Sequence, residues 1–267
     1  MSGPQRSGGD VMSTLALRDV GIVAARELRP LLRSPFSLIF GMIQPLVFLA
    51  LFGPLLVGSL RGQQGGLGDD VWQWFVPAIL VMTTLFGTST VGANLLGEFV
   101  TGAHERMLVT PLARHALLVG RALKEMVPLA GQALVIVLVM LPFGFDLHPT
   151  GALLGLALLT VFGVGLGSLS YALAVAVRRN DWMFWVVHQT LLFPLMILSG
   201  MLLPLETGPG WMRALSHCNP LAHMVTAERL LFAGTVGDRA VLWGAIAAAA
   251  TAVVGLAVGI RAMRRST

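Results

Sequence analysis

Residues 151–177 read GALLGLALLTVFGVGLGSLSYALAVAV, without one Asp, Glu, Lys, Arg or His. A helix needs about 20 mostly apolar residues to cross the hydrocarbon core of a bilayer, and this stretch exceeds that. Five further stretches meet the same requirement, roughly 36–58, 72–96, 125–144, 183–203 and 238–260. The whole composition agrees. Of 267 residues, 55% are hydrophobic and 12% are charged, whereas a soluble domain carries about 25% charge. The expected solvent is lipid, and the expected chain has six spans.

Orientation follows from the basic residues in the short flanking loops. With the N-terminus in the cytoplasm, the inner segments hold Arg6, Arg18, Arg26, Arg29, Arg33, Arg106, Arg114, Arg121, Lys124, Arg178, Arg179, Arg261, Arg264 and Arg265. The outer segments hold only Arg61, Arg213, Arg229 and Arg239. The net charge of +5 is therefore a topology signal, and nucleic acid is not an expected partner. Trp72, Trp74, Trp182, Trp185, Trp211 and Trp243 fall near expected span ends, where an indole with one polar edge anchors at the interface. No cleavable signal peptide is expected, because the first 34 residues are too polar. The single Cys218 excludes an internal disulfide, and no metal-binding cluster is suggested.

Residues 1–12 are rich in Gly and Ser and are expected to form a disordered tail. Residues 13–34 read as an amphipathic interfacial helix: at helical spacing Arg18, Arg26, Arg29 and Arg33 gather on one face, and Leu17, Val20, Ala24, Leu28 and Leu31 on the other. Pro30 should break or kink it. The six-span transmembrane domain then covers 35–262, and 263–267 form a basic tail.

The loop between the second and third spans reads GEFVTGAHERMLVTPLAR from Gly97 to Arg114. It is long, cytoplasmic by the charge rule, and mixes charged with apolar residues at helical spacing. Thr110-Pro111 ends one helix and can start another. The residues alone leave two readings open, a short helix that a soluble partner grips or a solvated loop whose charges fix topology. Beyond the fifth span, Pro204, Gly208, Pro209 and Gly210 break the helix, and Leu221 to Phe232 can form one short amphipathic helix with Glu228 and Arg229 as its polar residues.

Glycines recur four apart at Gly151 and Gly155, Gly163 and Gly167, and Gly255 and Gly259, a spacing that lets helices approach closely. Gln44-Pro45 and Gly53-Pro54 should kink the first span. Ionisable groups within spans are few; His188 in the fifth reads as an interhelical hydrogen-bonding group. No relay of Asp, Glu and His crosses the bilayer, which argues against a proton-coupled carrier. No Gly-x-x-x-x-Gly-Lys-Ser/Thr loop occurs, and Lys124 is the only lysine, so this chain has no phosphate cradle of that type.

The 97–114 loop resembles that of the type-2 permease family of ATP-binding-cassette exporters, especially the daunorubicin-resistance-like bacterial members. The family carries an acidic residue, Gly-Thr, Glu-Arg-Leu-Leu and then Thr-Pro or Ser-Pro. Here Glu98, Gly102, Glu105, Arg106, Leu108, Thr110 and Pro111 match, while Ala103, His104 and Met107 depart. The stretch Ser199 to Glu206, with Pro209, Trp211 and Asn219-Pro220-Leu221, is similar to the family's segment after the fifth span.

The resemblance implies an all-α membrane protein of six spans, an interfacial helix, a cytoplasmic coupling helix between spans two and three, and an extracellular re-entrant or helical hairpin between spans five and six. It implies a bacterial inner-membrane location with both termini cytoplasmic. The partners it implies are two copies of a cytoplasmic ATPase subunit, which bind the ATP and Mg, and a second permease copy or paralogue, all within membrane lipid; this chain binds no cofactor and is not itself an enzyme. The seven matching residues are the expected ATPase-coupling set. Phe48, Phe52, Phe86, Asn94, Phe193 and Met196 are substrate-path candidates by span position and bulk. The competing classes are a nucleotide-independent channel or secondary carrier, and a membrane scaffold that recruits a soluble protein.

Overall fold

The computed structural model describes residues 35–60, 71–101, 114–178, 180–205 and 208–265. Among them every regular element is helical: α1 (Pro35–Leu60), α2 (Val71–Gly87), α3 (Ser89–Thr101), α4 (Arg114–Met140), α5 (Pro149–Ala176), α6 (Asp181–Ile197), α7 (Gly210–Ser216), α8 (Pro220–Phe232) and α9 (Arg239–Arg265), with a 3-10 turn at Leu141–Phe143. The expected tail, the interfacial helix and most of the 97–114 loop lie outside the described residues.

Among the described residues, four stretches are long and apolar enough to cross a membrane: Val71–Phe99, Met126–Phe143, Pro149–Ala176 and Arg239–Arg264. They correspond to the second, third, fourth and sixth expected spans. Helices α1, with Pro45 and Pro54 inside its 26 residues, and α6, of 17 residues, occupy the places of the first and fifth.

Two expected boundaries shift. The second span is interrupted at Thr88. The Thr88 hydroxyl donates to Leu85 O at 2.9 Å, and its backbone N–H still reaches Thr84 O at 3.0 Å, so little backbone polarity is left bare. The fifth span ends as a helix at Ile197 rather than at 203. Ser199 turns back onto Met196 O at 2.6 Å and accepts from Met201 N at 3.3 Å, and Gly200 takes the left-handed φ of +69° that ends a helix.

Helix α2 is the centre of the bundle. Every side chain from Phe75 to Leu85 is buried, as expected of a helix apolar on all sides. The most extensive pairing joins α5 to α9. There a Cβ on Gly255 would run into the Gly165 carbonyl, and one on Gly165 would come within 2.6 Å of the Thr251 carbonyl oxygen. These glycines let two backbones touch, and this packing lies within one chain. On the outer faces Leu153, Trp182, Leu242 and Val253 stand exposed, as suits contact with lipid.

The starts of α2, α5 and α9 share one end of the bundle. Gln73 near the start of α2 donates from Nε2 to Asp146 O at 3.0 Å and to Phe232 O at 2.8 Å, and its Oε1 accepts from Asp146 N at 3.1 Å. This one amide joins the start of α2, the α4–α5 connection and the end of α8. The start of α9 also packs there, since a Cβ on Gly244 would meet Ala227 of α8.

Candidate functional site

At this end of the bundle the segment after α6 folds back over the span termini. Asn219 starts α8: its Oδ1 accepts from Leu221 N at 3.0 Å, the ordinary N-cap arrangement, and Pro220 fills the first helical position, where no N–H is needed. Its Nδ2 donates to Leu195 O at 2.7 Å, one of the last four carbonyls of α6, which lack intrahelical partners. One side chain thus caps one helix and closes another.

Arg229 does comparable work on the next turns. Its guanidinium carbon lies 3.7 Å from the centroid of the Trp74 ring. Its Nε donates to Trp74 O at 2.9 Å and its Nη2 to Gly200 O at 3.0 Å. The planar fork reaches two carbonyls and one aromatic face together, which a lysine ammonium does not reproduce. Beside it opens a polar cavity of about 290 Å³, lined among others by Arg213, His217, His223 and Arg229.

Glu228 turns the other way. It was expected on the polar side of an amphipathic helix, but it is 0% exposed and lies on the buried face of α8. The reason is geometric: adjacent residues in a helix point about 100° apart, so Glu228 and Arg229 cannot share one face. Helix α8 is seated in the groove made by Gly151 and Gly155 of α5. A Cβ on Gly151 would run into the Leu231 carbonyl, and one on Gly155 into Glu228 Oε2. The four-residue glycine spacing serves intramolecular packing here.

Of the expected coupling residues, Glu98 lies half-buried in the last turn of α3. Gly102, Glu105, Arg106, Leu108, Thr110 and Pro111 lie outside the described residues. Four of the six expected substrate-path residues meet in the main core. Phe48 and Phe52 stack at 5.3 Å with rings 9° apart, and both pack with Phe86 against the main core. Met196 is buried in that core, Phe193 on the same helix faces outward, and Asn94 is exposed on α3. None of the six lines the polar cavity.

A second polar node sits where α2 gives way to α3. His188 Nε2 and Ser89 Oγ are 2.8 Å apart, the interhelical hydrogen bond read from the sequence. Ser170 Oγ donates to Ser89 O at 3.4 Å and accepts from Gly92 N at 3.2 Å. The node ties α3, α5 and α6 together. Ser89, Ser170, Gln73 and the orientation of Arg229 do not stand out in the sequence. The available signal was weak: isolated polar residues inside apolar runs.

A bundle of apolar helices, closed at one end by a folded-back helical segment, defines a multi-pass helical membrane protein. The sequence model of the ABC-2 type transporters matches residues 18–232. The chain belongs to that family and is a membrane permease subunit of the ABC-exporter kind. It is 28% identical over 207 residues to a daunorubicin resistance ABC transporter permease protein of Streptomyces coeruleorubidus, covering 76% of this chain and 71% of the relative. A protein of Cyanophora paradoxa assigned as a transport permease is 29% identical over 230 residues, 85% of this chain and 79% of the relative. One of Escherichia coli K12 assigned as a multidrug ABC transporter permease is 23% identical over 164 residues, 60% and 44% respectively.

Proposed function

We propose that this chain is one of two permease halves in the inner membrane of a bacterium, exporting a hydrophobic or amphipathic molecule such as a drug, lipid or glycolipid. The observation that carries the reading is the family match across residues 18–232, joined to a sequence without a nucleotide-binding loop. Energy must then come from a partner. Two ATPase subunits dock on the cytoplasmic face and bind ATP and Mg; the second permease is another copy or a paralogue. All six apolar helices span the membrane, both termini are cytoplasmic, and the α7–α8 end faces outward, in keeping with the distribution of Arg.

In this reading the loop with Glu98, Gly102, Glu105, Arg106, Leu108, Thr110 and Pro111 receives the closing motion of the ATPases. Substrate moves along the apolar faces near Phe48, Phe52, Phe86, Asn94, Phe193 and Met196. The polar cavity around Arg213 and Arg229 receives the polar end of an amphipathic substrate on its way out. Drug export is the favoured cargo class because two of the relatives carry drug resistance or multidrug in their names.

The test is co-expression of the tagged chain with ATPases encoded near it, purification by that tag, and measurement of vanadate-sensitive ATP hydrolysis in lipid nanodiscs. The expected result is an ATPase in stable ratio, with hydrolysis coupled to export in vesicles and uncoupled by Glu105→Ala. Absence of any co-purifying ATPase, together with unchanged transport by Glu105→Ala, overturns the coupling account.

A further inference from the structure

The glycine groove between α5 and α8 holds a group that the permease reading leaves unused. Glu228 is fully buried, and neither carboxyl oxygen has a hydrogen-bonding partner among the described residues. Its Oε2 lies against Gly155, and the ring of Phe232 one turn on closes the same spot, 3.1 Å from where a Gly155 Cβ would stand. A side chain of Asp or Glu buried without a donor or cation is seldom tolerated as an anion.

Among the described residues, the helices packed most extensively against α8 supply no partner to this carboxyl. They are α2, α5 and α9. Neither α2 nor α5 contains an Asp, Glu, Lys, Arg or His. Helix α9 carries Arg only at its ends, Arg239 at the first position and Arg261, Arg264 and Arg265 in the last turns. Polar side chains on α8 or beside its ends hold other partners. Arg229 reaches Trp74 and Gly200, and the His148 ring meets Phe232 O at 3.1 Å. The His223 ring meets His217 O at 2.9 Å, and Asp238 Oδ1 accepts from Ala240 N at 2.7 Å.

We infer that Glu228 is a proton-binding site that locks α8 onto α5: the helix seats in the Gly151–Gly155 groove with the carboxyl protonated, and leaving the groove releases that proton to water. The step is a simple ionisation. The carboxyl O–H bond breaks, the proton passes to water, and the carboxylate becomes hydrated. The inference goes beyond the permease reading and does not depend on the direction of transport or on an ATPase.

The sign of the pH dependence follows. Burial pushes the seated Glu228 up from the ordinary 4.5 to about 8. Between those values the unseated form has given up its proton while the seated form keeps it. Seating therefore weakens as pH rises through this window, by about tenfold per pH unit for one proton. Below 4.5 both forms are protonated, and above 8 both are ionised, so the dependence flattens at each end.

The experiment uses the purified full chain in nanodiscs. Infrared difference spectra on pH titration report the C=O stretch of a protonated carboxylic acid, which is expected to persist at neutral pH, to vanish near pH 8, and to be missing in Glu228→Gln. Hydrogen exchange of α8, corrected for the intrinsic rate, is expected to speed up about tenfold per pH unit between pH 6 and 8 in the natural chain and to stay flat in Glu228→Gln, whose amide is neutral throughout. Gly155→Ala should displace the carboxyl and bring its titration down. An ordinary carboxylate titration in the natural chain, or α8 exchange with no excess pH dependence, overturns the proposal. Both readouts on the natural chain stand even where a variant does not fold, and neither involves ATP hydrolysis.

Discussion

Arg229 sets its guanidinium carbon 3.7 Å over the Trp74 ring and also donates to the carbonyl of that same residue, so side chain and main chain of α2 are held by one guanidinium. Its other arm holds Gly200, at the turn that ends α6. Three separate segments are pinned by one group. Arg229→Ala removes hydrogen bonds from a charged donor, each worth about 1.5–3 kcal/mol, and strands two carbonyls. Arg229→Lys keeps the charge but not the fork. Thermal unfolding in detergent should give a large fall in midpoint for Ala and most of that fall for Lys; equal stability of Lys and the natural chain would remove the geometric argument.

Asn219 separates two contributions that one substitution would blur. Asn219→Ser keeps the cap on Leu221 N but loses the amide donor to Leu195 O, whereas Asn219→Ala loses both. Loss of a cap costs about 1 kcal/mol, so Ser is expected between the natural residue and Ala. Hydrogen exchange should locate the Ser defect at the end of α6 and the Ala defect at both the end of α6 and the first turn of α8.

Much of this architecture could be read before any coordinates, and what could not has a physical cause. Long apolar runs state their own length, so α5 at Pro149–Ala176 falls close to the expected 151–177, whereas α4 and α9 run on into polar sequence beyond their apolar runs. The short helix from 221 to 232 was legible because Asn219-Pro220 is a helix start written in sequence. The break at Thr88 was not, because Thr and Ser hydroxyls satisfy the backbone without any change in hydropathy. Glu228 misled for a related reason: an amphipathic pattern assigns every charge to water, and only the packing against Gly155 reveals the exception. Bulk alone does not say how far a side chain is covered by its neighbours: Phe193 is 48% exposed, while Met196, less than one turn on, is buried.

His188 and Ser89 allow a measurement of what a polar pair contributes inside an apolar bundle. The pair is buried and 2.8 Å apart. Double-mutant cycles in membrane proteins average about 0.6 kcal/mol for such bonds. The cycle built from His188→Phe, Ser89→Ala and the double variant should return a coupling of about that size by reversible denaturation in mixed micelles. Near-zero coupling would assign His188 to packing against Phe184, its ring neighbour at 5.5 Å.

The glycines give the sharpest contrast, because the same change is expected to have different outcomes at three positions. A Cβ at Gly151 meets a main-chain carbonyl of α8, and one at Gly255 meets the main chain of α5. Neither neighbour can swing aside as a side chain can, so Gly151→Ala and Gly255→Ala must push two helices apart. Overpacking of that kind costs about 1–3 kcal/mol, and the lost close approach also removes dispersion contacts along the seam. Gly131 in α4 has nothing within 4 Å of its would-be Cβ. Gly131→Ala therefore gains helix propensity, up to about 1 kcal/mol, without a clash. Size-exclusion profiles and thermal midpoints in one detergent should rank Gly131→Ala at or above the natural chain and the other two well below it. If all three behave alike, the helix seams at α5–α8 and α5–α9 are not the close contacts described here.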